Sequence, residues 1–481
     1  MSIFVDVHLL SGKHASVEVE ADASLESLRH RAQTASAVRG RLLNSSGEVL
    51  DGAQTVRETN LMSGDVLTLR VNQVQVKAND NKGGVGGGFP AFAALQGDGS
   101  VVTSGYACCG GDCTVVQNQL RDVQQIQASY CAFAAILGDG SVVAWGDACN
   151  GGDSSVVRHQ LRDVQQIQAS NGAFAAILGD ASVVTWGNAL NGGDSTAVQE
   201  QLRDVQQIQA STRAFAAILG AGSVVTWGDA DCGGDSRGVQ DQLRDVQQIQ
   251  DQLRDVQQIQ ACISAFAAIL GDGSVVTWGN ERFGGDSSAV QHQLRDVQQI
   301  QATNGAFAAI LGDGSVVTWG DARFGGDSIA VQDQLRDVQR IQATHGAFAA
   351  ILGDGFVVSW GDAGHGGDSS AAQDQLRDVQ QIQASDGAFA AILGDGSVVT
   401  WGDARQGGDS SAVQDLLRDV QQIQACMSAF AAIRGDGSVV SWGDAAAAVH
   451  LGHYRWTTAE YPRQATQLPE VRAQCEGFLT R

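Results

Sequence analysis

A segment of 41 residues repeats nine times along the chain, and this repetition constrains the fold more than any other feature of the sequence. One copy of its central part reads AFAAILGDGSVVTWG, from Ala306 to Gly320. The phenylalanine of this part recurs in steps of 41 residues, with one step of 51, at Phe92, Phe133, Phe174, Phe215, Phe266, Phe307, Phe348, Phe389 and Phe430. A unit of this size cannot bury its apolar faces alone, so it has to stack on its own copies.

Each repeat contains three segments with the pattern of β-strands. In the copy from Val297 to Gly320 these segments are VQQIQA, AFAAIL and SVVTWG. AFAAIL is apolar on both faces, so we expect a sheet that is covered on both sides by neighbouring repeats. The pair Asp313-Gly314 between two apolar strands predicts a tight hairpin turn. Trp319 supplies one large aromatic side chain per repeat for packing between units.

The connection from one repeat to the next is compatible with either a helical turn or a strand. It reads DARFGGDSIAVQDQLRD from Asp321 to Asp337. Asp327 and Ser328 can cap a helix, and Val331, Leu335 and Val338 follow at steps of four and three. We predict a short helical turn before the next strand, with a connection made only of strands as the alternative.

The repeats resemble those of the regulator of chromosome condensation (RCC) family. The resemblance rests on the order V-x-x-I-x-A, A-F-A-A-I-L, D-G-S-V-V-T-W-G-D and G-G-D, and it covers about Val71 to Asp444. It implies a mainly β fold, a β-propeller with three- or four-stranded blades around a channel. The usual ring of this family has seven blades, whereas this chain has nine units, so the blade count stays open. Ser104 replaces the tryptophan in the first unit, which suggests a capping or closing unit.

The first 71 residues have a different pattern, with strands predicted at Ile3 to Val7 and His14 to Glu20. A helix is predicted next, because Ala21–Ser24 offers capping side chains and Leu25, Leu28 and Ala32 follow at helical spacing. Short apolar segments follow at 41–43, 49–50 and 66–71. LLSGKHASVEVEADASLESLRHRA, GRLLNSSGEVLDG and DVLTLRV resemble ubiquitin in order and spacing. The resemblance implies a ubiquitin-like β-grasp and places Leu43 at the centre of an apolar docking surface. It does not imply a conjugated modifier, because the chain runs on beyond Val71.

The domain organisation that follows is a ubiquitin-like domain at 1–71, an RCC-type propeller at 72–444 and a C-terminal tail at 445–481. Within the propeller, Asp241–Gln250 and Asp251–Gln260 have the same sequence, DQLRDVQQIQ. Two identical segments compete for one strand position. We therefore predict a local bulge with alternate registers between residues 241 and 260.

Two short stretches vary from repeat to repeat while the rest hardly changes. One follows the tryptophan, beginning at Ala148, Ala189, Ala230, Glu281, Ala322, Ala363 and Ala404, and the other precedes AFAA, beginning at Ser129, Ser211, Cys262, Thr303, Thr344 and Cys426. Loops displayed on a repeated scaffold are frequent binding sites. The candidate binding residues in them are Arg213, Arg282, Phe283, Arg323, Phe324, His345, His365 and Arg405. Drift in unconstrained loops is the alternative explanation.

The composition narrows the class of function. The formal net charge of −23 disfavours nucleic acid as a partner, because such binding needs a clustered basic face. No apolar run is long enough to span a bilayer, and no signal-peptide pattern begins the chain. We therefore expect a reducing, cytoplasmic location, with the nucleus as the alternative. Cys108, Cys109 and Cys113 lack a second cluster for a metal site, so we interpret them as incidental thiols and predict no metal or cofactor.

These observations favour a non-enzymatic scaffold that binds proteins, linked to ubiquitin signalling through its first domain. One alternative is a component or fragment of a ligase like the HERC ubiquitin ligases, although no catalytic HECT domain follows the repeats. Another is a guanine-nucleotide exchange factor for a Ran-like GTPase. The expected partners are ubiquitin-pathway proteins or a small GTPase, with no nucleic acid and no membrane. No nucleophile–base pairing is visible among the nine histidines.

Overall fold

The computed structural model describes residues 2–9, 14–36, 41–45, 50, 54–59, 61–70, 75–79, 91–243, 256–425, 427–436 and 438–444. The chain divides into two compact units between residues 71 and 72. The predicted tail at 445–481 lies outside the described residues. None of the described helices is long and apolar enough to cross a membrane.

In the described part of the N-terminal unit, four strands form a mixed sheet and one helix packs on it. Its elements are β1 Ser2–Leu9, β2 His14–Glu20, α1 Leu25–Ser36, β3 Arg41–Leu43 and β4 Val66–Arg70. The strand order is β2-β1-β4-β3, in which β1 pairs antiparallel with β2 and parallel with β4. The predicted hairpin and the helix that follows it are confirmed.

The helix begins where the sequence places its cap and buries the face that the sequence predicts. Ser24 Oγ accepts a hydrogen bond from the backbone N–H of Ser27 at 3.3 Å, as an N-cap residue does. Leu25, Leu28 and Ala32 are at most 1% exposed and form the core with the inward residues of the sheet. The segment expected at 49–50 is not a strand at Leu50, although the Leu50 N–H bonds to the carbonyl of Leu42.

The described residues of the second unit form nine three-stranded antiparallel sheets, which we number as units 1 to 9. Their first strands are Gln75–Ala78, Val123–Ala128, Val164–Ala169, Val205–Ala210, Val256–Ala261, Val297–Ala302, Val338–Ala343, Val379–Ala384 and Val420–Ala425. Their second strands are Ala91–Leu95, Ala132–Leu137, Ala173–Leu178, Ala214–Leu219, Ala265–Leu270, Ala306–Leu311, Ala347–Leu352, Ala388–Leu393 and Ala429–Arg434. Their third strands are Val101–Gly105, Val142–Gly146, Val183–Gly187, Val224–Gly228, Val275–Gly279, Val316–Gly320, Val357–Gly361, Val398–Gly402 and Val439–Gly443.

Each sheet from unit 2 to unit 8 is covered on both faces by its neighbours, as the pattern of AFAAIL predicts. In unit 6, Phe307 and Ala309 join the core shared with unit 5. Ala308 and Ile310 join the core shared with unit 7. The same alternation produces a core between every consecutive pair of units. Every described sheet therefore depends on its neighbours for the burial of its apolar faces.

An aromatic pair attaches each sheet from unit 2 onward to the unit before it. In unit 6, Phe307 stacks on Trp319 with ring centroids 5.3 Å apart. The Trp319 indole N–H donates to the carbonyl of Gly284, in the GGD turn that follows unit 5, at 3.1 Å. Gly284 has a φ of +93°, and a Cβ there would lie 2.7 Å from Phe307 Cδ2. This glycine is therefore required both by its backbone conformation and by the close approach of the ring.

The hairpin turn and the connecting segment also follow the sequence. Asp313 accepts hydrogen bonds from the backbone and the hydroxyl of Ser315, and Gly314 has a φ of +76°. The connections contain 3₁₀ turns at Gln199–Gln201, Arg237–Val239, Ile329–Gln334 and Gln414–Leu416. The predicted helical turn is therefore a 3₁₀ turn, and the alternative made only of strands is wrong.

The second copy of the duplicated segment supplies the first strand of unit 5, Val256–Ala261. The first copy is described only as far as Leu243. Residues 244–255, where the two copies meet, lie outside the described ranges, so the predicted bulge stays a prediction.

The first strands of consecutive units surround a common cavity. A cavity of about 380 Å³ is lined by glutamine and alanine at the ends of these strands in units 2 to 6. Successive three-stranded sheets with their first strands innermost are the arrangement of propeller blades. The mainly β, propeller-type fold class is confirmed, and the described blades have three strands each.

Candidate functional site

The two variable stretches of each repeat lie at the same end of the sheet. The first is a 3₁₀ turn after the third strand, which we call the helical loop, at Ala107–Cys109, Ala148–Asn150, Ala189–Asn191, Ala230–Cys232, Glu281–Phe283, Ala322–Phe324, Ala363–His365 and Ala404–Gln406. The second, the short loop, is the three residues between the first and second strands, such as 303–305 in unit 6. The Thr303 hydroxyl donates to the carbonyl of Phe324 at 2.8 Å and ties the two loops together.

A cap residue sets the conformation of every helical loop from unit 2 to unit 8. In unit 6 the Asp321 carboxylate accepts the backbone N–H of Arg323 at 3.0 Å, and Gly325 ends the turn with a φ of +89°. Asn188 and Asn280 accept the corresponding bond in units 3 and 5. Because the backbone is fixed in this way, the second and third residues of the turn are displayed in a repeated geometry.

The short loops of neighbouring units are joined through their backbones. The middle residue of each loop donates its N–H to the carbonyl of the equivalent residue in the next unit, at 2.8 to 3.1 Å. The series runs through Tyr130, Asn171, Thr212, Ile263, Asn304, His345, Asp386 and Met427. The short and helical loops of units 2 to 8 therefore form one continuous surface, which we call the loop arc.

The third residue of a short loop lies between the helical loops of two consecutive units. A Cβ built at Gly305 would lie 2.8 Å from Phe324 Cδ2 and 2.9 Å from Phe283 Cδ1. In unit 5 the equivalent residue is Ser264, whose Oγ lies 3.5 Å from Cys232 Sγ. The two variable stretches are thus in contact, and a glycine occurs where both neighbours are bulky. Gly172, Gly346 and Gly387 occupy the same position in units 3, 7 and 8, so drift in unconstrained loops stays the alternative explanation for the variation.

The predicted residues of units 5 and 6 form the most contacts with one another. Phe283 and Phe324 meet edge to face, with centroids 6.3 Å apart and an interplanar angle of 75°. The guanidinium of Arg282 lies over Phe283 at 5.7 Å from the ring centroid, and that of Arg323 lies over Phe324 at 5.8 Å. We call these four residues the Arg-Phe cluster.

One carboxylate holds both arginines of this cluster. Asp321 Oδ2 lies 2.9 Å from Arg282 Nε and 2.7 Å from Arg323 Nη2. Its side chain is 9% exposed, whereas the two arginines are 62% and 65% exposed. The hydrogen bonds from Arg323, from its backbone N–H and from Arg282 hold the pKa of Asp321 well below its usual range, although burial opposes this shift. The carboxylate therefore stays ionised and orients both guanidinium groups.

The other predicted residues of the arc each have local partners. Arg213 pairs with Asp229 at 3.0 Å. His345 Nε2 lies 3.1 Å from Asp386 Oδ1, and His365 Nδ1 lies 3.1 Å from Asp362 Oδ2. The backbone N–H of Arg405 bonds to the cap residue Asp403 at 2.9 Å. These residues lie on the same arc as the Arg-Phe cluster but in other units.

Leu43 belongs to the N-terminal unit and is only 9% exposed. It lies at the end of β3, where it pairs with Thr68 of β4. An apolar docking surface on that unit, as the resemblance to ubiquitin implies, therefore has little of the Leu43 side chain available to a partner. Its role in binding stays a prediction.

The cysteine cluster of unit 1 differs from the prediction. Cys109 is not an incidental loop thiol, because it forms a disulfide with Cys131 in the short loop of unit 2. Cys113 is buried and bonds to Gln117, and Cys108 remains exposed. Disulfides are rare in reducing compartments, so the pairing gives the cytoplasmic location no support, and that location stays a prediction. No group of three or more metal-ligating side chains occurs among the described residues.

Sequence reasoning missed two parts of this region. One is the amide-lined cavity beside the short loops, where Gln127 Nε2 lies 3.5 Å from Gln168 Oε1. The other is Asp321, which the repeats present only as part of the recurrent W-G-D or W-G-N motif. The recurrence of Asp or Asn at that position is a signal for a cap, but the second arginine comes from the preceding unit and is not adjacent in sequence.

No protein-family model matches the chain, and no curated protein matches it. Solved structures do match. Prp20p from Saccharomyces cerevisiae is 16% identical, with 52% of this chain and 74% of that chain covered and a TM-score of 0.33. The computationally designed Ika8 protein is 12% identical, with 67% and 96% covered and a TM-score of 0.31.

The CRINKLY WD40 ectodomain of the Arabidopsis thaliana receptor kinase ACR4 is 15% identical, with 60% and 96% covered and a TM-score of 0.32. With such low identities and TM-scores, no property of these proteins is transferred to this chain on structural grounds.

Proposed function

We propose that this protein is a non-enzymatic scaffold that binds a protein partner through the loop arc. The observation that carries the proposal is the Arg-Phe cluster, Arg282, Phe283, Arg323 and Phe324. Aromatic residues and arginine are enriched at the residues that dominate protein–protein affinity. In this protein they are adjacent and partly exposed, on loops that hydrogen bonds fix to rigid sheets.

The geometry of the cluster supports binding because its side chains are held in place before a partner arrives. Each guanidinium is restrained by Asp321 and by a phenylalanine ring. Less rotamer entropy is therefore lost on association, which is a main cost of forming an interface. The net charge of −23 favours a protein partner over nucleic acid.

We further propose that the N-terminal unit is a ubiquitin-like docking module and that the protein acts in ubiquitin signalling. The support is the resemblance in sequence together with a mixed sheet and one helix in the order β-β-α-β-β. Prp20p binds Gsp1p and histones. The RCC-type pattern of the repeats makes a Gsp1p-like GTPase a candidate partner for this chain, alongside ubiquitin-pathway proteins.

The test compares proteins captured by the full chain with those captured by the double variant Phe283→Ala with Phe324→Ala. The control is Leu190→Ala, because Leu190 lies on the helical loop of unit 3 and is 76% exposed. We expect at least one partner to be lost with the double variant and kept with the control. Direct binding of that purified partner should weaken at least tenfold with the double variant.

Equal capture by all three proteins, all folded by circular dichroism, would rule out the Arg-Phe cluster as the binding site. Two further assays separate the alternative functions. Release of bound nucleotide from a Ran-like GTPase would identify an exchange factor. Discharge of ubiquitin from a charged conjugating enzyme would identify a ligase component.

A further inference from the structure

One connecting segment differs from the others at a position that has a structural role. Seven described segments have a glutamine whose side-chain amide donates to a backbone carbonyl of the third strand before it, at 2.8 to 3.2 Å. These residues are Gln117, Gln199, Gln240, Gln291, Gln332, Gln373 and Gln414. The segment after unit 2 has Arg158 at this position.

Arg158 makes a different contact and a groove opens beside it. Its Nη2 donates to Gln119 Oε1, in the segment before unit 2, at 3.3 Å. The groove has a volume of about 620 Å³ and includes Val142, the residue whose carbonyl would receive the glutamine amide. In unit 3, by contrast, Gln199 bonds to both Ser195 and the Val183 carbonyl. Arg158 thus stands in place of a glutamine that makes these two hydrogen bonds, and its side chain lines the groove.

The charge of this groove is opposite to that of the equivalent place in unit 3. Around the groove lie Arg158, Arg162, His159 and one carboxylate, Asp139. The equivalent residues in unit 3 are Gln199, Arg203, Glu200 and Asp180. With histidine neutral, these groups sum to +1 in the groove and −1 in unit 3. A local excess of positive charge on a chain of net charge −23 attracts anions selectively.

The single carboxylate of the groove is already engaged. Asp139 accepts hydrogen bonds from the hydroxyl and the backbone N–H of Ser141, which lower its pKa. Among the described residues, no carboxylate lies within ion-pair distance of Arg158 or Arg162. Both guanidinium groups are therefore available to an incoming anion. Leu137, Val142 and Leu161 give the groove an apolar wall beside them.

We propose that this groove binds a phosphate monoester carried by a small, partly apolar organic molecule. Guanidinium groups match the geometry of phosphate oxygens, with two parallel N–H bonds from each fork. The apolar wall accepts the organic group. The volume lies in the range of small-molecule sites, about 300–1,000 Å³.

The test is a calorimetric titration of the full chain with phenyl phosphate, inorganic phosphate and phenol. We expect one site for phenyl phosphate, binding at least tenfold more weakly for inorganic phosphate, and no binding of phenol. Arg158→Gln should weaken phenyl phosphate binding at least tenfold. This variant should fold at least as well as the natural chain, because glutamine restores the hydrogen bonds of the other segments.

A second variant introduces the arginine and the histidine of the groove at the equivalent positions of unit 3. Gln199→Arg with Glu200→His should raise the number of phenyl phosphate sites from one to two. Unchanged binding by Arg158→Gln, or equal affinity for phenyl phosphate and inorganic phosphate, would overturn the proposal. A phosphotyrosine peptide that binds tenfold more tightly than phenyl phosphate would assign the groove to a phosphorylated protein and overturn the small-molecule assignment.

Discussion

Phe307 and Phe324 belong to the same repeat but are used in opposite ways. Phe307 is fully buried between units 5 and 6, and a phenylalanine occupies its position in all nine units. Phe324 is half-buried on the loop arc, and only unit 5 has a phenylalanine at the equivalent position. The residues that repeat are therefore those that pack between units. The residues of the loop arc vary because only side chains in adjacent loops contact them.

Truncation of Phe307 should destabilise the stacked sheets strongly, whereas truncation of Phe324 should not. We expect Phe307→Ala to destabilise the protein by about 3–5 kcal/mol, because it leaves a cavity beside Trp319. Phe324→Ala should cost less than about 1 kcal/mol, because a partly exposed ring loses little burial. Chemical denaturation followed by tryptophan fluorescence measures both. Equal losses for the two variants would show that the loop arc is part of the scaffold.

The contact between the two variable loops can be tested at Gly305. Gly305→Ala should destabilise by about 1–3 kcal/mol, because its Cβ would overlap Phe283 and Phe324. The same change in a Phe324→Ala background should cost clearly less. Ser264→Ala, at the equivalent position of unit 5, is the control and should change stability by under about 1 kcal/mol. Additive losses in the double variant would contradict the proposed contact.

The hairpin turns offer a test within the scaffold itself. Unit 3 has Ala181, with a φ of +62°, where seven other units have a glycine with positive φ. Ala181→Gly should stabilise the protein by about 1 kcal/mol, because an L-residue is strained in this conformation. Ala221→Gly, one residue before the positive-φ Gly222 of unit 4, should give no such gain. The midpoint of thermal unfolding of each variant measures this difference, and equal midpoints for the two variants would contradict strain at Ala181.

The smallest effect concerns the charge of Asp321. Asp321→Asn keeps a capping side chain, as Asn280 shows in unit 5, but removes both ion pairs. Exposed pairs contribute little, so we expect a loss of about 0.5 kcal/mol at pH 7. Asp403→Asn is the matched control, because Asp403 is the equivalent cap residue in unit 8.

The same pair of variants gives a pH dependence with a defined sign. The pKa of Asp321 is lowered in the folded protein, so its contribution is present above its unfolded pKa of about 3.9. The contribution is lost as the pH falls through the lower folded value. The stability difference between the natural chain and Asp321→Asn should therefore shrink below about pH 4. A difference that persists unchanged at about pH 2 would show that the ion pairs are not its source.

Much of the scaffold could be predicted from local sequence. The alternation in AFAAIL determines which side chains face each neighbour, and Asp313-Gly314 determines the turn, because both depend on residues close together in the chain. The cap of α1 at Ser24 was also readable from sequence. The Cys109–Cys131 disulfide was not, because it joins loops of two units that sequence spacing alone does not place together.

The candidate site could be predicted only in part. Variation between repeats pointed to the Arg-Phe residues, but not to Asp321 as the group that holds both arginines. It also gave no sign that Arg158, one position in an ordinary connection, opens a groove. Both features arise between side chains about 40 residues apart in sequence, and the repeat period alone does not say which atoms meet.

Local sequence is enough to specify the three-stranded unit, its stacking and the loops that vary. The physical reason is that burial and turn formation are specified within each 41-residue repeat, and every repeat makes the same choices. Which variable residues of different units touch depends on how the units stack, since the contacts of Arg282 with Asp321, of Phe283 with Phe324 and of Arg158 with Gln119 each join two units. Phe324 is therefore distinguished from Phe307 by its contact with Phe283 of the preceding unit, with Gly305 lying between the two rings.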